Sequence, residues 1–175
     1  MHYSDFRAGV QCRSAEVGLA GTLTILVGTM TGTAELVADE VKDAAASEGL
    51  EAEVLAMDKL TPAVFEREGP FLICTSTYGQ GDVPDNARDF FEAIEAQKPD
   101  LSAVRYGVIA LGDRTYAQTF CFGGKRFDKL LASLGAERVG EPMLHDASAG
   151  TIPEEVAVEW VREWIAHFRL KQEAA

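Results

Sequence analysis

The 175 residues are 47% hydrophobic and 25% charged, the proportions of one globular domain and not of a disordered or fibrous chain. With 28 Asp and Glu against 16 Lys and Arg, the formal charge of -12 disfavours nucleic acid and anionic membranes, which need a positive surface, and allows a basic protein partner. No run approaches the ~18 apolar residues of a membrane span, and neither the widely spaced Cys12, Cys74 and Cys121 nor the scattered His2, His145 and His167 suit a disulfide framework or a metal site, so a reducing cytoplasm is expected.

Residues 1–21 mix Gly, Ser and charges without periodicity and read as a flexible N-terminal extension; one domain is expected over 22–170, with a C-terminal tail at 171–175. Leu23–Gly28 is a continuous apolar run, as in a strand covered on both faces. Gly32–Glu48 reads as a helix with Ala34, Val37, Ala38, Val41 and Ala45 on one face, and Gly49 is suited to end it. Glu51–Met57 alternates as a strand does, and Phe71–Ser76 is a second apolar run. Pro84 is placed for the first turn of a helix carrying Ala87, Phe90, Phe91 and Ile94. Tyr106–Leu111 predicts the fourth strand, Phe127, Leu130, Leu131 and Leu134 a helix stopped by Gly135, and Glu137–Leu144 the fifth strand. Pro153 opens the last helix, with Glu154 and Glu155 favourable against its dipole and Ala157, Trp160, Val161, Trp164 and Phe168 as its apolar stripe. Strands with intervening helices predict the α/β class: a doubly wound five-stranded parallel sheet with helices on both faces.

In such a sheet ligands bind beyond the carboxyl ends of the strands, where strand order reverses. The loop Thr29-Met30-Thr31-Gly32-Thr33-Ala34 offers three hydroxyls and the amides of a helix N-terminus, a setting that favours an anion. It has neither G-x-G-x-x-G nor the lysine of a G-x-x-x-x-G-K-[ST] loop, which leaves a terminal phosphate monoester rather than a dinucleotide or an NTP. The bland alternative is that these are only capping and turn residues. The loop from Ser76 through Thr77, Tyr78 and Gly79 to Asp82 frees the backbone for a flat ligand, and Leu111-Gly112-Asp113 leads to a second aromatic, Tyr116. Two tyrosines on neighbouring loops suit a planar heterocycle stacked between them, and beside a phosphate site they point to flavin mononucleotide (FMN).

The segments GTMTGTAE, TSTYGQGDVPDNARDFF and ALGDRTYAQTFC, with the terminal IPEE…EWVREWI, resemble flavodoxin-like FMN-binding proteins over about Leu23 to Phe168. The likeness is to short flavodoxins of the MioC type and to the FMN domains of diflavin reductases such as sulfite reductase flavoprotein. It implies the flavodoxin strand order 2-1-3-4-5 and FMN as cofactor. Its implied cofactor-binding residues are Thr29, Met30, Thr31, Gly32, Thr33 and Ala34 for the phosphate, then Ser76, Thr77, Tyr78 and Gly79, and the stretch from Leu111, Gly112 and Asp113 through Tyr116 to Phe120 and Cys121 for the ring. Asp146 corresponds loosely to an acidic position in the fourth loop. The segment Ala117–Cys121 is one residue longer than in the relatives, so Phe120 competes with Tyr116 for the ring contact.

The resemblance implies a monomeric, non-enzymatic electron carrier, reduced by an NAD(P)H-dependent flavodoxin reductase and oxidised by an acceptor protein. The chemistry belongs to the cofactor, and the protein tunes it. Gly79's peptide is expected to respond to protonation of the ring, and Asp82 and Asp113 to oppose its reduced anion. The alternative is an FMN-dependent NAD(P)H:quinone reductase, though the insertions that build such a substrate pocket are not found. A response-regulator receiver needs paired acids after the first strand, where Gly28-Thr29 stands, and a hydrolase needs a G-x-S-x-G that is absent.

Overall fold

The computed structural model describes residues 21–175, so the expected extension lies, but for Gly21, outside the described residues. The first apolar run is strand β1, Leu23–Gly28, buried at all six positions. It holds the middle of the sheet because both edges are paired: with β2 (Ala52–Ala56) on one side and β3 (Phe71–Thr75) on the other, both parallel. Strand β4 (Arg105–Gly112) follows β3, and β5 (Glu137–Arg138) lies beyond it, both parallel, giving the order β2-β1-β3-β4-β5.

The fifth position departs from the sequence expectation. Instead of one strand over Glu137–Leu144, two segments, β5 (Glu137–Arg138) and β6 (Met143–Asp146), pair in turn with β4. The break has a local cause: Pro142 has no N–H for the ladder, and Gly140 takes a left-handed φ of 68°. The carbonyls released there are taken up by the last helix, where Trp164 Nε1 donates to Val139 O at 2.9 Å and Trp160 Nε1 to Glu141 O at 3.1 Å. The aromatic stripe of that helix is therefore also the partner of the interrupted strand.

The helices are α1 (Thr33–Ser47), α2 (Asp85–Gln97), α3 (Phe122–Ser133) and α4 (Pro153–Glu173). Pro84 stands at the N-cap of α2, one residue ahead of the first turn where it was expected. Helix α4 runs through Glu173, into the expected tail, and Lys171 Nζ reaches Glu137 Oε1 at 2.6 Å. Between β2 and β3 there is no α-helix, only short 3-10 turns at Met57–Lys59 and Pro62–Glu66. Alternate strand residues face opposite layers. Leu23, Ile25 and Val27 pack with Ala34, Val37, Val41, Val161 and Trp164 of α1 and α4. Leu26, Ile73 and Val108 pack with Phe90, Ile94, Phe127 and Leu131 of α2 and α3, where the 3-10 turns add Val64 and Phe65. The chain runs from β1 out to β2 and then crosses back to β3, so strand order reverses between β1 and β3, and the loops leaving their carboxyl ends face a crevice.

Candidate functional site

The loop after β1 is built as an anion cradle. Gly32 caps α1 with φ 89°, a left-handed value that a side chain resists. The first hydrogen bond of the helix runs from Leu36 N to Gly32 O, so the amides of Thr33, Ala34 and Glu35 come before it and remain free for a ligand. The hydroxyls of Thr31 and Thr33, on two exposed residues, lie 3.5 Å apart. Thr29 is different: its Oγ1 accepts from Gly32 N at 2.9 Å, which is the turn role weighed against phosphate binding. Ala34 is fully buried and offers only its amide, and Met30 Sδ accepts from Asp85 N at 3.3 Å. Asn86 of α2 steadies the whole loop, its Oδ1 accepting from Thr29 N at 2.8 Å. Two exposed hydroxyls, three amides and a helix dipole, with no cation in the loop, fit a phosphate monoester.

The loop after β3 is held from three sides. Ser76 N donates to Gly28 O at 3.0 Å. The Thr77 hydroxyl donates to Leu111 O at 3.0 Å and accepts from Gly123 N at 3.1 Å, so it ties this loop to β4 and α3 and has no proton left for a ligand. Tyr78 and Asp82 exchange backbone hydrogen bonds of 2.9 and 2.8 Å, closing a turn whose tip is Gly79. Gly79 has a left-handed φ of 52°, with no atom within 4 Å of a notional Cβ, so it leaves open space at the turn.

After β4, Asp113 Oδ1 accepts from Thr115 N at 2.7 Å and starts a short turn that carries Tyr116, 67% exposed, toward the crevice. Phe120 is only 6% exposed, and its ring lies beneath the Arg114 guanidinium, 4.4 Å from the centroid. Cys121 is buried, its thiol directed at Ala110 O (3.3 Å) and His145 O (3.6 Å), and burial pushes its pKa up to about 11. A thiol so placed is inert at neutral pH.

These loops enclose an open cleft of about 490 Å³, within the ~300–1,000 Å³ of small-molecule sites. Of the expected residues, Thr33, Ser76, Thr77, Gly79, Leu111, Gly112, Asp113 and Tyr116 line it. Thr29, Met30, Thr31, Gly32 and Ala34 form the adjoining cradle, while Tyr78, Phe120, Cys121 and Asp146 are not on its wall. Thr119 and Ala147 complete the lining without having been singled out. Thr119 lies within the stretch carried over from the relatives. Ala147 carried no signal of its own beyond its place at a strand end.

The rim is less negative than its acids suggest. Asp82 faces Arg126 at 3.4 Å and Asp85 faces Arg88 at 2.7 Å, both pairs about half exposed. Asp113 has no basic partner among the described residues. Among those residues no helix is long and apolar enough to cross a membrane, and no cluster of His, Cys, Asp and Glu could hold a metal ion.

Comparison with known proteins places this geometry. The family model described as Flavodoxin matches residues 25–160. Flavodoxin YqcA of Escherichia coli is 41% identical over 150 residues, 86% of this chain and 96% of that protein. Protein MioC of the same species is 37% identical over 143 residues, 82% of this chain and 95% of its own. Among solved structures, a cysteine variant of a flavodoxin from Pseudomonas aeruginosa superposes with a TM-score of 0.74 at 37% identity, covering 85% of this chain and 99% of that one. The short-flavodoxin resemblance read from the motifs is the one these matches return, and the chain belongs to the flavodoxin family.

Proposed function

We propose that the chain binds FMN and carries electrons between proteins. The observation that carries this reading is Thr33, which belongs at once to the anion cradle of α1 and to the wall of the cleft, so that one ligand with a phosphate and a flat body spans both. The hydroxyls of Thr31 and Thr33 and the amides of Thr33, Ala34 and Glu35 hold the phosphate. Tyr116 and Gly79, both on the cleft wall, would hold the ring, Tyr116 by stacking and Gly79 by its backbone. When bound, FMN supplies a ring that takes up electrons in pairs and passes them on singly. The chain binds it, orients it, and shields one face from water. Acid treatment of the purified protein should release a compound with the absorption spectrum and mass of FMN. A chain that neither carries flavin nor takes up added FMN overturns the reading.

Tyr116 is the stacking residue in this proposal. Aromatic contact of this kind quenches flavin emission, so bound FMN is expected to be nearly dark and Tyr116→Ala to recover fluorescence. Phe120→Ala, under its Arg114 cover, should lower stability instead. If Phe120→Ala restores the emission and Tyr116→Ala does not, the ring lies elsewhere in the loop.

The proposed donor is an NAD(P)H-dependent flavodoxin reductase, and the acceptor is another protein, in a reducing cytoplasm with the chain acting as a monomer. The charge of -12 is expected to steer a basic reductase and to repel free NADPH. Reduction by NADPH alone should be slow, and adding reductase should speed it greatly. Because steering is screened over a Debye length of ~8 Å at physiological salt, reductase-driven turnover should fall as salt rises. Asp82→Lys and Asp85→Lys, each a change of two charges at residues off the cleft wall, should both lower it. Rapid oxidation of NADPH by the chain alone, saturable in a quinone, overturns the carrier reading.

A further inference from the structure

We propose that Asp146 is a positioning residue, latching the Arg114–Thr119 segment, and with it Tyr116, to the end of β6. The inference rests on the FMN reading only for what Tyr116 does; the latch itself is a matter of geometry. Asp146 Oδ1 accepts from Arg114 N (3.0 Å), Ser148 N (3.0 Å) and Ser148 Oγ (2.7 Å). Its Oδ2 lies 3.6 Å from Arg114 Nε, and its side chain is only 16% exposed. On the other side the Arg114 guanidinium rests on the buried ring of Phe120. Arg114 is thus held by its amide and by its side chain, between a carboxylate and an aromatic face.

Among the described residues, Asp146 is the one side chain outside residues 113–120 that hydrogen-bonds this segment. The remaining bonds are between near neighbours in the chain: Tyr116 N to Asp113 O and Thr119 N to Tyr116 O, both 3.0 Å, Thr115 N to Asp113 Oδ1 at 2.7 Å, Thr119 Oγ1 to Tyr116 O at 3.4 Å, and Phe122 N of α3 to Thr119 O at 3.1 Å. The Arg114 amide and the Ser148 hydroxyl hold the Asp146 carboxyl below the usual carboxylate range, so the charge that strengthens the latch is present at neutral pH. With Oδ1 fully engaged and the side chain off the cleft wall, Asp146 is placed to order a ligand-binding loop rather than to touch the ligand. Ordering the loop in advance removes part of the entropy that binding would otherwise have to supply. Ala147, the next residue, lies on the cleft, so the same carboxylate fixes both sides of this corner.

The test compares Asp146→Ala, Asp146→Asn and the unaltered chain. Hydrogen exchange on the flavin-free protein should show the Arg114 amide losing protection in D146A and largely keeping it in D146N, which retains an accepting oxygen. In titrations, D146A should weaken FMN and riboflavin alike by about tenfold to a hundredfold, because binding must then order the segment, and D146N, which keeps an accepting oxygen, should recover most of both. The thermal midpoint of the flavin-free chain should move little. Unchanged exchange at Arg114 in D146A, or D146N as damaging as D146A, overturns the latch. A loss for FMN that spares riboflavin also overturns it, because Asp146 would then act on the phosphate. Since exchange is read without flavin, failure of the chain to bind FMN would sink the FMN reading and leave the latch to be judged on its own.

Discussion

Replacing Thr31 and Thr33 together with valine is expected to weaken FMN binding by roughly a hundredfold to ten-thousandfold, the combined loss of two hydrogen bonds to a charged group at ~1.5–3 kcal/mol each. Valine keeps the branched shape of threonine, and both residues are exposed, so the fold has little reason to respond. Gly32 still turns the chain into α1, and the amides of Thr33, Ala34 and Glu35 stay where they are. What disappears is the pair of hydroxyls 3.5 Å apart at the mouth of the cradle. Riboflavin, identical but for the phosphate, should bind the variant nearly as well as it binds the parent. Titration of the flavin-free protein with each ligand, followed by flavin emission, measures both constants. Equal losses for the two ligands would move the hydroxyls from the phosphate to the ring. No loss for either would leave the cradle as turn chemistry alone.

The parts of this molecule legible in its sequence are those decided by neighbours along the chain. Apolar runs such as Leu23–Gly28 and Phe71–Thr75 are strands because burial on both faces demands it, and the spacing of Ala34, Val37, Ala38 and Val41 marks the inner face of α1. The topological rule then put the ligand at the ends of β1, β3 and β4, where the cleft is. What escaped depends on partners far away in the chain. Gly140 and Pro142 interrupt the fifth strand locally, but that the indoles of Trp164 and Trp160 satisfy the carbonyls of Val139 and Glu141 left there is visible only in the fold. Thr77 looks like any hydroxyl beside a ligand until Leu111 and Gly123 are found at its two sides. Asn86 carries no signal of its own in the sequence, and only the fold brings its side-chain amide to Thr29. Asp82 and Asp85 count as negative charge in the composition, but Arg126 and Arg88 lie against them. Phe120 is a second candidate for the ring because its segment is one residue longer than in the relatives, and only the fold shows Arg114 lying across its face.

Gly123→Ala is the single substitution expected to do most damage to the cleft without touching any proposed ligand contact. A Cβ on Gly123 would lie 2.2 Å from Ser76 O and 3.3 Å from Thr77 Cα, so the obstacle is backbone and not the flexible end of a side chain. Neighbouring Gly124 is equally confined, its notional Cβ 2.4 Å from that of Ala110, so α3 cannot slide along β4 to make room. The helix must lift, or the loop after β3 must move. Either motion pulls Gly123 N away from Thr77 Oγ1, now at 3.1 Å, and strains the bond from Thr77 to Leu111 O. Overpacking of this kind costs ~1–3 kcal/mol, and the two hydrogen bonds add ~1 kcal/mol each. A total near ~4 kcal/mol corresponds to a fall in the thermal midpoint of roughly 8–16 °C for a domain of this size. Because Ser76 and Thr77 form one wall of the cleft, riboflavin and FMN should lose affinity together, the opposite of the threonine pair. Thr77→Ser keeps the hydroxyl and serves as the comparison: it should retain both ligands while losing only the packing of a methyl group. A G123A variant that melts within ~2 °C of the parent, less than 1 kcal/mol on this scale, and binds both flavins normally would show that α3 and the loop after β3 accommodate each other freely, and that the close approach at Gly123 does not shape the site.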